Sequence, residues 1–312
     1  MPRSHDHAAR VHEAITGHGA AQSALVASWS RSARLHRIDP ASPHAPDRLT
    51  EAEFRAARER AGAMIAAAGP TLDRLFQAVG GVGCCVMLAD RDGVPLERRG
   101  APPDDATFAG WGLWPGTRWG EAHEGTNAIG TALAEDRPVT IHRDQHFRAR
   151  NTALSCMTAP VYGPGGQVTG AVDVSSARAD LTAGFAALIA QSVADAARAI
   201  EAETFRAAFA RARITMLPEA PRGMLALVAV DADDLIIGAT RGARRALALP
   251  DDLTAAPLVA ADLIGGAEGD GLARAERAAI ARALARAGGN VTAAARALGI
   301  SRATLHRKLS QT

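Results

Sequence analysis

The stretch GGNVTAAARALGISRATLHRKL, residues 288–309, carries its own punctuation. Gly288 and Gly289 suit the end of one helix, Asn290 the cap of a second, Gly299 a tight turn and Ser301 the cap of a third, each the residue type its backbone position favours. Ile280, Leu284, Val291, Leu298, Ile300, Leu305 and Leu309 are spaced so that the three helices share a small core. A short helix, a glycine turn and a basic second helix are the parts of a helix-turn-helix, whose second helix enters the major groove of DNA. The charge agrees with this. From Leu272 onward Arg274, Arg277, Arg282, Arg286, Arg296, Arg302, Arg307 and Lys308 stand against Glu276 alone, a local excess of +7, whereas the whole chain carries only +2.

Working outward, 312 residues at roughly 100–200 per domain make two or three compact units. With 47% hydrophobic and 22% charged residues, the composition is that of a folded chain and excludes disorder throughout. Cys84, Cys85 and Cys156 form no CxxC pair, which argues against a disulfide framework or a zinc ribbon and for a reducing cytoplasm. The start of the chain lacks an apolar core of signal-peptide length, and no run approaches the roughly 18 apolar residues of a membrane span, so no membrane partner is expected. The sole lysine, Lys308, stands between Arg307 and Leu309; a phosphate-gripping P-loop needs Gly-Lys-Ser/Thr, so P-loop ATPase activity is excluded.

Between the termini the patterning is α+β. A polar helix carrying Leu25, Trp29 and Ser32 is expected from Ala20 to about Ile38, then a linker to Asp47. Thr50 and Glu53 open a second helix that runs to about Val79 with a brief break at Gly69-Pro70. Cys84 to Ala89, Val94 to Arg98, Val139 to His142, Ser155 to Val161 and Val168 to Ser175 read as strands, with turns at Arg91-Asp92-Gly93 and Gly163-Pro164-Gly165-Gly166. Asp180 to about Arg213 reads as one long helix, its apolar residues recurring at helical period. A smaller α+β unit follows, with strands at Leu225–Val230 and Leu235–Ala239, a short helix to Leu249 and loop to Asp270. The histidines His5, His7 and His12 are expected to be solvated in a flexible N-terminal tail.

Two strings carry a resemblance. The pattern Gly-Asn-x-x-x-Ala-Ala-x-x-Leu-Gly-Ile-x-Arg-x-Thr-Leu at the C-terminus resembles the Fis-type helix-turn-helix that closes many bacterial enhancer-binding regulators. That resemblance puts Ser301, Arg302, Thr304, His306, Arg307 and Lys308 at DNA-facing positions, with His306 departing from the usual cation. WGEAHEGTNAIGTAL, residues 119–133, with His146-Phe147, resembles the GAF domain of acetoin-catabolism-type regulators, and Leu225 to Leu249 looks like their degenerate PAS domain. The family's central ATPase has no room, because only 22 residues separate Leu249 from Leu272.

The resulting expectation is an α+β multidomain chain. Residues 1–48 form a helical segment and linker, 49–180 a GAF domain with its leading helix, 181–213 a linking helix, 214–269 a PAS-like unit and 270–312 the helix-turn-helix. It implies a cytoplasmic transcriptional regulator, not an enzyme, binding DNA as a homodimer because two recognition helices must meet half-sites about 34 Å apart. RNA polymerase, or a complete ATPase-containing regulator, is the further partner implied. The sensor would hold a small-molecule effector among Trp119, Thr126, Asn127, Phe147 and Cys156, a mostly apolar lining with a few placed polar groups. Two other readings stay open at this stage: an iron, haem or thiol sensor built from Cys84, Cys85, His123, His142, His146 and Cys156, and a GAF-type sulfoxide reductase using the cysteines. Irregular spacing favours buried structural thiols over a metal site, and no cofactor is identified.

Overall fold

The computed structural model describes residues 4–17, 23–43, 46–218, 220–232, 234–250, 252–253, 258, 260, 276, 279–280, 283–284 and 287–309. The N-terminal stretch is a helix, α1 (Ser4–Thr16), where sequence reading expected a solvated tail. Val11 and Ile15, one turn apart, bury against Trp29 and Phe147, and this apolar contact orders the segment. His12 is exposed as expected, but His7 is buried. Ser23 caps α2 (Ala24–Ser30), so this helix begins four residues later than its pattern suggested; it continues as a π-helical turn, Arg31–Leu35.

The capping box of Thr50 and Glu53 starts α3 (Glu51–Arg60), its Thr50 N–H donating to Glu53 Oε2 at 2.7 Å. The break then falls at Ala61, and α4 (Gly62–Val79) runs straight through Gly69-Pro70. A proline in a helix interior costs about 3 kcal/mol. Met64, Ala68, Leu72, Leu75 and Val79 bury on one face of α4 and offset that cost, which is why the expected break is absent.

Next come β1 (Cys84–Asp90), β2 (Pro95–Arg99), α5 (Asp105–Trp111), α6 (Glu121–Glu124), α7 (Ala128–Glu135), β3 (Val139–His142), β4 (Ser155–Tyr162), β5 (Val168–Ser176) and α8 (Ala183–Ala208). The five strands make one antiparallel sheet in the order β2-β1-β5-β4-β3. Because side chains alternate along a strand, each residue has a side. Val86, Leu88, Met157, Ala159, Val172 and Val174 face α4 and α8. Cys85, Met87, Val139, Ile141 and Cys156 face a second layer built by Phe108, Leu113, Trp119, Ile129 and Leu154.

α8 stops at Ala208, short of the expected end at Arg213. Phe209 folds onto Phe205, ring centres 4.8 Å apart, and the chain turns into a strand that sequence reading did not expect, beginning at Arg213 where the helix was expected to end. That strand, β6 (Arg213–Met216), pairs with β7 (Leu227–Val230), which pairs with β8 (Ile236–Ala239) in a three-stranded antiparallel sheet flanked by α9 (Arg241–Ala246). At the C-terminus α10 (Val291–Ala297) and α11 (Arg302–Leu309) pack Ala294, Ala295 and Leu305 on Ile280 and Ala283. Arg274, Arg277, Arg282 and Arg286 lie outside the described residues, as does the loop expected to Asp270 apart from Pro250, residues 252–253, Leu258 and Ala260.

Candidate functional site

The register of the large sheet aligns two rows of side chains on its second face. One row runs Arg98, Met87, Asp173, Thr158, Val139 across all five strands; its neighbour runs Cys85, Ser175, Cys156, Ile141. Their centre is polar and dry. Thr158 Oγ1 donates to Asp173 Oδ1 at 2.5 Å, and Ser175 Oγ donates to Oδ2 at 2.7 Å while lying 3.0 Å from Cys156 Sγ. Burial lifts the Asp173 carboxyl to about 6 against the pull of the two hydroxyls. Burial also raises all three thiols, with Cys84 on the opposite face of the sheet from Cys85. Such thiols are poor nucleophiles, since thiol reactivity belongs to the thiolate.

Arg98 ends this row. Its guanidinium lies 4.5 Å from the ring centre of Trp114 and 5.5 Å from that of Phe108, and Nη1 donates to Asp105 Oδ1 at 2.7 Å. Nε and Nη2 are buried with no hydrogen-bond partner. A buried N–H without an acceptor costs about 1–3 kcal/mol, so these two groups mark a place where an acceptor from outside the chain would be welcome. Sequence reading missed Arg98, Asp173, Thr158 and Ser175. The only available signal was their period-two placement on strands already identified, and it needed the strand order to become a site.

The five residues expected to line a sensor pocket are placed differently from one another. Trp119 is buried in the second layer with Cys156, its Nε1 donating to Gly112 O at 2.7 Å. Asn127 caps α7: its Oδ1 accepts from Gly130 N at 2.9 Å and its Nδ2 donates to Trp119 O and Gly125 O, each at 2.9 Å. Phe147 packs with α1 and α2. A Cβ on Gly125, at φ +66°, would strike it at 2.6 Å. Thr126 Oγ1 sits 2.7 Å from Ser28 Oγ and lines a cavity of about 140 Å³ with Ser28 and Thr131. The carboxylates of the same string hold the N-terminal segment: Arg31 grips Glu121 through two nitrogens at 2.9 and 3.0 Å and reaches Glu135 at 2.9 Å.

The histidines do not converge. His142 Nδ1 pairs with Ser155 Oγ at 2.8 Å; His146 is fully buried, its pKa lowered to about 4 by desolvation. Arg10 Nη2 donates to His7 Nδ1 at 3.0 Å, which makes Nε2 the protonated nitrogen that donates to His146 O and Phe147 O. Among the described residues no group of three His, Cys, Asp or Glu is placed to hold a metal ion.

In the C-terminal unit Asn290 Oδ1 accepts from the backbone N–H of Thr292 and Ala293 at 3.0 and 3.2 Å, and Gly299, at φ +66°, makes the turn. Ser301 Oγ accepts from Thr304 N at 3.0 Å and starts α11. At 100° per residue, Leu305 points into the core, so Arg302, His306 and Arg307 lie on the exposed side, with Thr304 and Lys308 flanking the core. Lys308 forms an ion pair with Glu276, which ties the recognition helix to the first helix of the unit.

These features meet known families. Residues 64–200 match the GAF domain, and residues 271–311 match the Fis family of bacterial regulatory proteins. The chain is 31% identical over 234 residues to an acetoin catabolism regulatory protein of Cupriavidus necator, an alignment covering 74% of this chain and 35% of the relative. It is 28% identical over 151 residues to the acetoin dehydrogenase operon transcriptional activator of Bacillus subtilis, covering 48% and 25% of the two chains. The similarity thus spans only about a third or less of these relatives' length. The E. coli DhaR(N)-DhaL complex contains a chain of the same fold, with TM-score 0.53 and 18% identity over 73% of this chain and 76% of that one. The chain therefore joins a region that matches the GAF domain to one that matches the Fis family, and over three-quarters of its length it is similar to an acetoin catabolism regulator.

Proposed function

We propose that the chain is a cytoplasmic transcriptional regulator that binds DNA as a homodimer through α11 and senses a small molecule in its GAF domain. The observation that carries this reading is the exposed side of α11, where Arg302, His306 and Arg307 stand clear of the Leu305 core behind a Ser301 cap. Arginines on such a face suit base edges and phosphates of the major groove. With 22 residues between Leu249 and Leu272 and no P-loop lysine, the chain has no ATPase in its middle and acts as a repressor, an accessory activator or a partner to RNA polymerase or a complete regulator.

Within the GAF domain we assign the effector to the side of the sheet where Arg98 and Asp173 lie, the side that Trp119 and Cys156 share. Acetoin, named for two of the relatives, carries a carbonyl and a hydroxyl. A carbonyl would satisfy the unpaired N–H groups of Arg98.

DNA binding by the full chain, to its own upstream region and to random duplex at two salt concentrations, tests the regulator reading. Salt-sensitive binding that prefers the upstream DNA supports it; equal affinity for both duplexes rejects it. Changing Arg302 to Ala should cost about 1–3 kcal/mol of specific binding if that side chain reads a base edge, and should weaken both duplexes alike if it holds a phosphate.

A further inference from the structure

A second opening lies away from the GAF sheet's polar rows. A cleft of about 810 Å³ separates α8 and the outer strands of the large sheet from the start of the second unit. Two side chains bridge it: Arg198, on α8, donates to Gly223 O at 3.3 Å, and Arg241 spans it from the other side. Arg241, from α9, donates to Asp136 Oδ1 at 2.6 Å and stacks on the Tyr162 ring at 4.4 Å, while the Tyr162 hydroxyl donates to the same carboxylate oxygen at 2.8 Å. Asp136 and Arg241 are therefore already satisfied by each other.

Three other charges lining the cleft have no oppositely charged partner among the described residues. Glu201, on α8, is 5% exposed and has no hydrogen bond or ion pair among the described residues; burial and the more distant charges of Arg241 and Arg198 act on it. Arg222 and Arg245 are exposed; among the described residues neither has a carboxylate partner, and Arg245 reaches the Met224 sulfur at 3.9 Å. Between these charges the wall is apolar, formed by Ala190, Ala194, Pro160 and Leu225. A carboxylate buried without a donor is costly, and an arginine pair without an acceptor is a ready anion site.

We propose that this cleft binds a free amino acid with an apolar side chain, its ammonium on Glu201, its carboxylate on Arg222 and Arg245, and its side chain against the alanine and proline wall. The zwitterion is the ligand class that supplies both missing charges from one molecule, and the apolar wall selects among its members. Because the cleft is bounded by α8 on one side and α9 on the other, an occupant here touches the GAF domain and the second unit at once. The proposal stands independently of the effector assigned to the GAF sheet and of DNA binding.

Calorimetry with the full chain and each of the twenty amino acids, at pH 7 in two buffers of different ionisation enthalpy, tests it. Glu201 titrates near 7 through burial, so an ammonium placed on it should expel about half a proton per ligand bound. The N-acetylated form of the bound amino acid, which has no ammonium, and its amide, which has no carboxylate, should each bind about 10–100-fold more weakly. Glu201→Gln should remove the proton release, and the double change Arg222→Ala with Arg245→Ala should make the amino acid and its amide bind alike. If no amino acid binds, if the N-acetylated form binds as tightly as the free one, or if Glu201→Gln releases the same proton, the proposal is wrong. Should Glu201→Gln fail to fold, the acetylated and amidated ligands on the unaltered chain decide the matter.

Discussion

Asp173 and His146 are both buried in the GAF domain, and they pull its stability in opposite directions as pH changes. Asp173 has a folded-state pKa raised to about 6, so between its ordinary value of 3.8 and 6 the folded chain holds more protons than the unfolded one. Its contribution is therefore present at low pH and lost as pH rises through about 6. His146 is lowered to about 4 from 6.5, so its contribution is present above 6.5 and lost as pH falls through about 4. Urea midpoints from pH 4 to 7 should separate them: Asp173→Asn removes the fall on the alkaline side, and His146→Asn removes the fall on the acidic side. A profile unchanged by either substitution would contradict the burial of both groups. Arg98 gives the third test at this scale. Arg98→Met keeps the stacking volume against Trp114 and removes the two unpaired N–H groups, so it should abolish any acetoin-dependent change in tryptophan fluorescence while leaving the melting temperature within a few degrees.

Among the elements, caps and faces decide what holds. Asn290→Ala removes the acceptor for two backbone N–H groups at the start of α10 and should destabilise the C-terminal unit by about 0.5–2 kcal/mol, read from a melt of the full chain and from weaker DNA binding. Leu72→Ala, in the buried face of α4, should cost about 2–5 kcal/mol by leaving a cavity against the sheet. These two elements also show what sequence reading can and cannot do. The α10–α11 pair was legible because Gly288, Gly289, Asn290, Gly299 and Ser301 are local signals read one position at a time. The course of α4 through Pro70 was not, because part of the compensating burial comes from α8, which is distant in sequence. β6 was hidden for a related reason: Arg213 to Met216 is only four residues long with no turn signal before it, and pairing with β7 makes it a strand. The strands of the large sheet were legible to within a residue or two at each end, since each is a short apolar run with a turn beside it. Their order was not legible. The candidate site on Arg98, Asp173, Thr158 and Ser175 therefore appeared only when β5 was found between β1 and β4.

At the scale of the molecule, positive charge is gathered toward the C-terminal unit, and Arg241 and Asp136 join the GAF domain to the second unit. A regulator of this layout can change its affinity for DNA only to the extent that its effector prefers one arrangement of these units over the other. If α8 and the Arg241 contact transmit that preference, Arg241→Ala should leave effector affinity nearly unchanged and erase the effector's influence on operator affinity, measured by DNA titration with and without the effector. The ion pair of Lys308 with Glu276 has a practical consequence. Lys308 is the chain's single lysine, so its ε-amine and the N-terminal amine are the only two targets for an amine-directed acylating reagent. Acylation at that residue is thus a one-site footprint of the recognition helix. Its rate, followed by peptide mass, will fall when operator DNA covers α11.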